Sequence, residues 1–180
     1  MHTFIALLRG INVSGQKKIK MADFRVLLES IGFKDVQTYI QSGNIVFKTI
    51  ETNVAKLTKA IESCILKEYQ FEVPVLIITP KELQSAFENN HFLKDPTKER
   101  SKIGFTFLSQ IPTQENRELL KSYSFTGEEM FINGKVIYLY SEIGFGRAKF
   151  TNNFVEKKLK LSASSRNVNT VVKLLEMAKG

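Results

Sequence analysis

The apolar residues of this 180-residue chain run through the same succession of periods twice, and few folds accept such a pattern. In the first pass, residues 3–9 form a near-continuous apolar run closed by Gly10, which reads as a strand. Phe24, Leu27, Leu28 and Ile31 then fall at helical spacing over residues 21–31, stopped by Gly32. Residues 36–41 and 44–48 read as strands flanking Ser42-Gly43, a two-residue hairpin signal. Val54, Leu57, Ile61, Ile65 and Leu66 mark a second helix, and residues 75–78 are a short apolar strand of the buried kind.

A helix over residues 80–90, opened by Thr79-Pro80, links this pass to the next, and residues 91–102 read as an exposed polar loop. The second pass then begins. Residues 103–108 are a strand, and 112–123 a helix opened by proline. Strands 130–132 and 136–140 flank Asn133-Gly134, a strong type I′ hairpin signal, and residues 150–161 are helical. Residues 163–165 make a short edge strand and 168–178 a closing helix. The order β-α-β-β-α-β, met twice, predicts an α+β protein of two tandem ferredoxin-like units with antiparallel sheets, plus a linking helix and a C-terminal helix. The boundaries predicted are 1–79, 80–102 and 103–180.

Composition narrows the chemistry. Cys64 is the only cysteine, so an intrachain disulfide and a cysteine-rich zinc site are both excluded. With His2 and His91 the only histidines, no metal site and no cofactor is predicted, and no catalytic residue is nominated. His91 sits in the polar loop, and Cys64 on the apolar side of its helix reads as core. No apolar stretch approaches the ~20 residues that span a bilayer, so no membrane partner is expected and the expected location is cytoplasmic. The sequence leaves oligomeric state open.

The net charge of +8 is unevenly placed. Residues 1–20 hold Arg9, Lys17, Lys18 and Lys20 and no acid, a net +4. Residues 147–180 hold eight basic residues against Glu156 and Glu176, a net +6, which leaves −2 for the stretch between. Such segregation points to an anionic partner, with a solubilising surface as the alternative.

The split βαββαβ order says which segments meet. Its first and second strands are parallel, with the third between them, so the end of the first strand at Arg9 and the turn Gln41-Ser42-Gly43-Asn44 emerge at one edge. The loop 11–20 starts there too. The same logic in the second unit brings Lys149, Thr151 and Asn152 towards Arg166, Asn167 and Asn169. Both groups combine cations, amides and helix N-termini, whose unpaired N–H groups favour anions. The candidate ligand-binding residues are therefore Arg9, Asn12, Lys17, Lys18, Gln41 and Asn44 with Lys149, Asn152, Arg166, Asn167 and Asn169. They form two sites or the walls of one basic cleft between the units.

Structural duties compete for several of these. Gly10 and Gly15 have P-loop spacing, but Gln16 stands at the lysine position and Lys17 at the Ser/Thr position, and no parallel sheet is predicted, so a P-loop triphosphatase is rejected. A looser phosphate cradle using Asn12, Lys17 and Lys18 and a plain turn built on glycine remain as alternatives. Asn167 and Asn169 precede a helix, where asparagine caps N–H groups; Arg166 has no such duty. Binding of single-stranded nucleic acid by a sheet face needs exposed aromatics, and strand 44–48 offers only Phe47. Sequence-blind binding through phosphates is the second reading, and a protein-interaction module without a ligand the third.

Two long motifs carry a resemblance. Leu8-Arg9-Gly10-Ile11-Asn12-Val13 followed by Thr38-Tyr39-Ile40-Gln41-Ser42-Gly43-Asn44-Ile45-Val46-Phe47, and Lys149-Phe150-Thr151-Asn152-Asn153-Phe154-Val155-Glu156-Lys157-Lys158-Leu159 followed by Ser165-Arg166-Asn167-Val168-Asn169-Thr170, resemble the two ends of bacterial domain-of-unknown-function family 1697. The resemblance implies a pair of ferredoxin-like units and brings no reaction with it. It implies tryptophan where this chain has Val168, and threonines at Ser164 and Ser165, so a site model resting on a ring at position 168 is weakened.

Overall fold

A computed structural model describes residues 1–180. The first pass builds β1 (His2–Leu8), α1 (Met21–Ser30), β2 (Lys34–Tyr39), β3 (Asn44–Thr49), α2 (Val54–Tyr69) and β4 (Val75–Ile78). The four strands form an antiparallel sheet in the order β2-β3-β1-β4. Phe4, Ala6, Leu8, Ile45, Phe47, Val75 and Ile77 point from one sheet face into a core with Phe24 and Leu28 of α1 and Leu57, Ile61 and Ile65 of α2. The alternate residues Ile5, Leu7, Val46, Leu76 and Ile78 are buried as well, which is why these strands read as continuous rather than alternating apolar runs.

After α3 (Pro80–Glu88), the second pass builds β5 (Ile103–Leu108), α4 (Gln114–Lys121), β6 (Glu128–Asn133), β7 (Val136–Ser141), α5 (Asn152–Leu159) and β8 (Ala163–Asn167), then α6 (Val168–Met177). The sheet order β6-β7-β5-β8 is the first order again, all antiparallel. Its helix-facing core joins Leu108, Ile137, Leu139 and Ala163 to Leu120, Val155 and Leu159.

The repeat extends to single hydrogen bonds. Leu8 N–H donates to the Gly43 carbonyl at 2.8 Å, and Leu108 N–H to the Lys135 carbonyl at 2.8 Å. One residue further on, Arg9 N–H donates to Pro74 O at 3.1 Å and Ser109 N–H to Ser162 O at 2.9 Å. Each first strand is thus tied, at its end, to the hairpin on one side and to the entrance of the fourth strand on the other. The passes differ in the connection that follows: twelve residues separate β1 from α1, and five separate β5 from α4.

Turns and borders depart from the sequence reading in places. Tyr39 pairs with Asn44, so the first hairpin closes through four residues, Ile40 to Gly43, rather than through Ser42-Gly43 alone. Ile40 (φ 50°) and Gly43 (φ 81°) both adopt left-handed backbone there. A Cβ on Gly43 would lie 2.5 Å from Leu8 Cβ, so contact as well as conformation demands glycine. In the second hairpin Asn133 pairs with Val136, and Gly134-Lys135 is the two-residue turn. Residues 91–102 contain two 3₁₀ turns, His91–Lys94 and Arg100–Lys102, and Phe92 is buried. By compactness the chain divides into Met1–Gln84 with Val172–Gly180, and Ser85–Val171. The last nine residues, expected with the second unit, therefore group with the first, where Lys48 Nζ donates to the Gly180 carbonyl at 3.2 Å.

Candidate functional site

The long β1–α1 connection of the first unit, residues 9–20, is a shaped loop. Gly10, Asn12, Ser14, Gly15 and Lys17 all take positive φ. Asn12 sits at its centre and uses its whole side chain to hold it: Nδ2 donates to Ile19 O at 2.9 Å and to Gln41 O at 2.8 Å, and Oδ1 accepts Ile19 N–H at 2.9 Å. The Asn12 N–H also donates to Lys17 O at 3.2 Å. Ile11 and Ile19 anchor both ends of the loop in the core. Asparagine tolerates φ near 55° better than most residues, and that tolerance together with its amide suits it to this staple.

The staple brings Arg9, Asn12, Lys17 and Gln41 to one end of the sheet, as the strand order requires. Asn44 is there too but fully buried, its Nδ2 donating to Tyr39 O at 3.1 Å and Ser42 Oγ at 2.9 Å. Lys17 Nζ donates to the Glu72 carbonyl at 2.6 Å, which ties the loop to the α2–β4 connection. Lys18, Lys20 and Gln41 are exposed. Ion pairs join Lys48 to Asp35, Lys56 to Glu51 and Lys98 to Glu129, but Lys17, Lys18 and Lys20 take part in none. Lys20 is the N-cap residue of α1 and supplies no side-chain cap, so the loop's cations stand beside first-turn N–H groups that no side chain caps. Asp23 is the one carboxylate in that turn.

The second predicted cluster is dispersed. Asn152 faces β8, where its Oδ1 accepts the Ser165 hydroxyl at 2.6 Å, and Ser165 Oγ lies 2.6 Å from Thr106 Oγ1. Because the Ser165 hydroxyl hydrogen is spent on Asn152, Thr106 is the donor to Ser165. Asn167 Oδ1 accepts Thr170 N–H at 2.9 Å and so caps α6, while Asn169 is exposed. Arg166 is buried, its guanidinium donating to Ser165 O at 2.8 Å, and burial pulls its pKa down to about 10. Lys149 lies with its ammonium 5.6 Å from the Phe125 ring centroid.

An aromatic sheet face exists in the second unit. Phe105, Phe107, Tyr138 and Tyr140 alternate along β5 and β7 on the side away from α4 and α5. All four are buried. Phe87 stacks at 6.5 Å from Phe105, and Phe92 lies 6.1 Å from Tyr140, so the segment leading from α3 into the 3₁₀ turns covers this face. Burial drives the Tyr138 hydroxyl pKa up to about 12. Phe47, the lone candidate in β3, is a core ring stacked on Phe33 at 4.4 Å.

Residues 1–138 match the sequence profile of a family described as a protein of unknown function, DUF1697. The chain belongs to the DUF1697 family. No curated protein matches it. Among solved structures, this DUF1697 chain is similar to the conserved bacterial protein SP0830 from Streptococcus pneumoniae. Their TM-score is 0.73 and their identity 22%, with 98% of each chain covered. That likeness speaks for the fold. No helix of the DUF1697 chain is long and apolar enough to cross a membrane. Val168, the position where the resemblance implied a tryptophan, is buried at the start of α6, so a side chain there serves packing.

Proposed function

We propose that the protein binds a small anionic or phosphorylated ligand on the 9–20 loop of its first unit. One observation carries this reading: three lysines without ion-pair partners, Lys17, Lys18 and Lys20, stand on a loop whose backbone Asn12 holds fixed. A fixed backbone spares the ligand the entropy of ordering its own site. The lysines neutralise the anion, the uncapped first turn of α1 adds N–H donors, and exposed Gln41, tied to the loop through its carbonyl, is placed to orient a polar substituent. Asn12 and Asn44 act as scaffold in this reading.

The test is a thermal-shift series at low salt with inorganic phosphate, nucleoside monophosphates and sugar phosphates. A ligand present at about a hundredfold excess over its Kd stabilises by about 2.7 kcal/mol, which raises the melting temperature by several degrees. Lys18→Glu combined with Lys20→Glu should abolish that rise without lowering the unliganded melting temperature. Failure of every anion to stabilise the chain, or an undiminished rise in the double variant, overturns the proposal.

A further inference from the structure

We propose that the second unit carries a separate binding surface for single-stranded nucleic acid, formed by the outer side of α5 and the connection 122–127 that precedes β6. Arg147, Lys149, Lys157, Lys158 and Lys160 crowd into fourteen residues, and none of them forms an ion pair. Two nearby carboxylates hold backbone N–H groups. Glu156 Oε1 accepts Ala163 N–H at 2.8 Å, and Glu128 accepts Lys149 N–H at 2.6 Å and Phe150 N–H at 3.2 Å. Within α5, Val155 and Leu159 point into the core, which leaves Lys157 and the C-cap Lys160 exposed about one helical turn apart.

Beside these charges lie half-buried rings. Tyr123 and Phe125 from the connection pack edge-to-face against Phe154 of α5, at 5.2 Å and 5.4 Å between centroids. Edge-to-face packing sets the rings steeply to one another, and Lys158 sits against two of them: its Nζ donates to the Tyr123 hydroxyl at 2.5 Å and lies 5.5 Å from the Phe154 centroid. Ammonium groups and π faces within a few ångströms of each other are the pairing that a nucleotide needs. Its phosphate draws Lys158 from the Tyr123 hydroxyl, and its base stacks on the part of these half-buried rings that solvent reaches. A duplex keeps its bases inside the stack and offers the rings nothing, so the surface selects single strands.

Fluorescence anisotropy of the full chain with a labelled oligothymidylate of about 20 nucleotides tests this. Four lysine–phosphate contacts on a single strand predict a slope of log K against log salt near −3, a loss of about a hundredfold between about 50 and 300 mM salt. Lys157→Glu with Lys160→Glu should weaken binding at least tenfold and roughly halve that slope. Lys59→Glu with Lys67→Glu, exposed on α2 of the other unit and outside both proposed sites, should change neither, so the losses belong to this surface. Tyr123→Leu should weaken binding several-fold while a circular-dichroism melt reports whether it still folds. No binding at low salt, an unaltered slope in the α5 double variant, or equal losses in the two double variants overturns the assignment. Duplex bound as tightly as single strand, or displacement of the oligonucleotide by phosphatidylserine vesicles at matched phosphate, does so as well.

Discussion

Asn12 has the amide and the loop position of a ligand contact, yet its side chain makes three hydrogen bonds within the protein. Asn12→Ala should therefore cost about 2–4 kcal/mol, from bonds worth about 1 kcal/mol each and from an unfavourable φ. Asn12→Gly keeps the backbone angle accessible and should cost less; urea denaturation of both variants separates the two contributions. Gly43→Ala should cost about 1–3 kcal/mol or more, because its new Cβ meets Leu8 Cβ at 2.5 Å and its φ is 81°. Single residues were the least legible part of the sequence. An asparagine amide that binds a ligand and one that staples a loop are the same group, and only the spatial arrival of Ile19 and Gln41 decides between them. Arg166 misled in the opposite way: it lacks a capping duty, but it is buried rather than presented. The free charge of Lys17, Lys18 and Lys20 was legible, because residues 1–20 hold no acid and none of the three forms an ion pair in the fold.

Strands and helices were legible as types, since short continuous apolar runs and the 3.6 period are stamped on the apolar residues, while their ends drifted with local backbone bonds. The first hairpin shows why: Ser42-Gly43 is a competent two-residue turn, yet positive φ at Ile40 and the tie from Leu8 to Gly43 enlarge it to four. The covering of the aromatic face by residues 87–92 was hidden because a polar segment with one buried phenylalanine has no period to read. Two predictions belong at this scale. Thr106→Val removes the buried donor to Ser165 from a half-buried hydrogen-bond chain joining β5, β8 and α5, and should cost about 1–3 kcal/mol, while Thr106→Ser should recover most of it. In the 91–102 segment, hydrogen bonds from the Thr97 side chain and backbone hold the Asp95 carboxyl below its ordinary pKa, and the Ser101 and Lys102 side chains do the same for Glu99. Carboxyls lowered in the folded state bind fewer protons than in the unfolded one. Their contribution is therefore present above the ordinary carboxylate range and is lost as pH falls through the folded values. Melting temperature should fall more steeply with acid in the parent than in Asp95→Asn, measured by circular dichroism from neutral pH downwards.

At the level of the whole molecule, the doubled βαββαβ order was legible, and the structure carries the repeat down to matching hydrogen bonds at the ends of β1 and β5. What the linear pattern could not tell is that the chain's last nine residues group with its first pass, because the apolar face of α6 reads the same whichever sheet it accompanies. Leu174 and Leu175 are buried in that segment. Truncation after Val171 should accelerate hydrogen exchange at the amides of β1 and β3, with β5 and β7 keeping the larger share of their protection, as followed by mass spectrometry. Grouping the two extremes of the sequence into one unit also has a consequence in time. A ribosome makes the chain from its N-terminus, so all of Ser85–Val171 is synthesised before Val172–Gly180. The unit begun first is the unit finished last, and the basic loop between β1 and α1 waits on an unfinished scaffold until synthesis reaches the final helix.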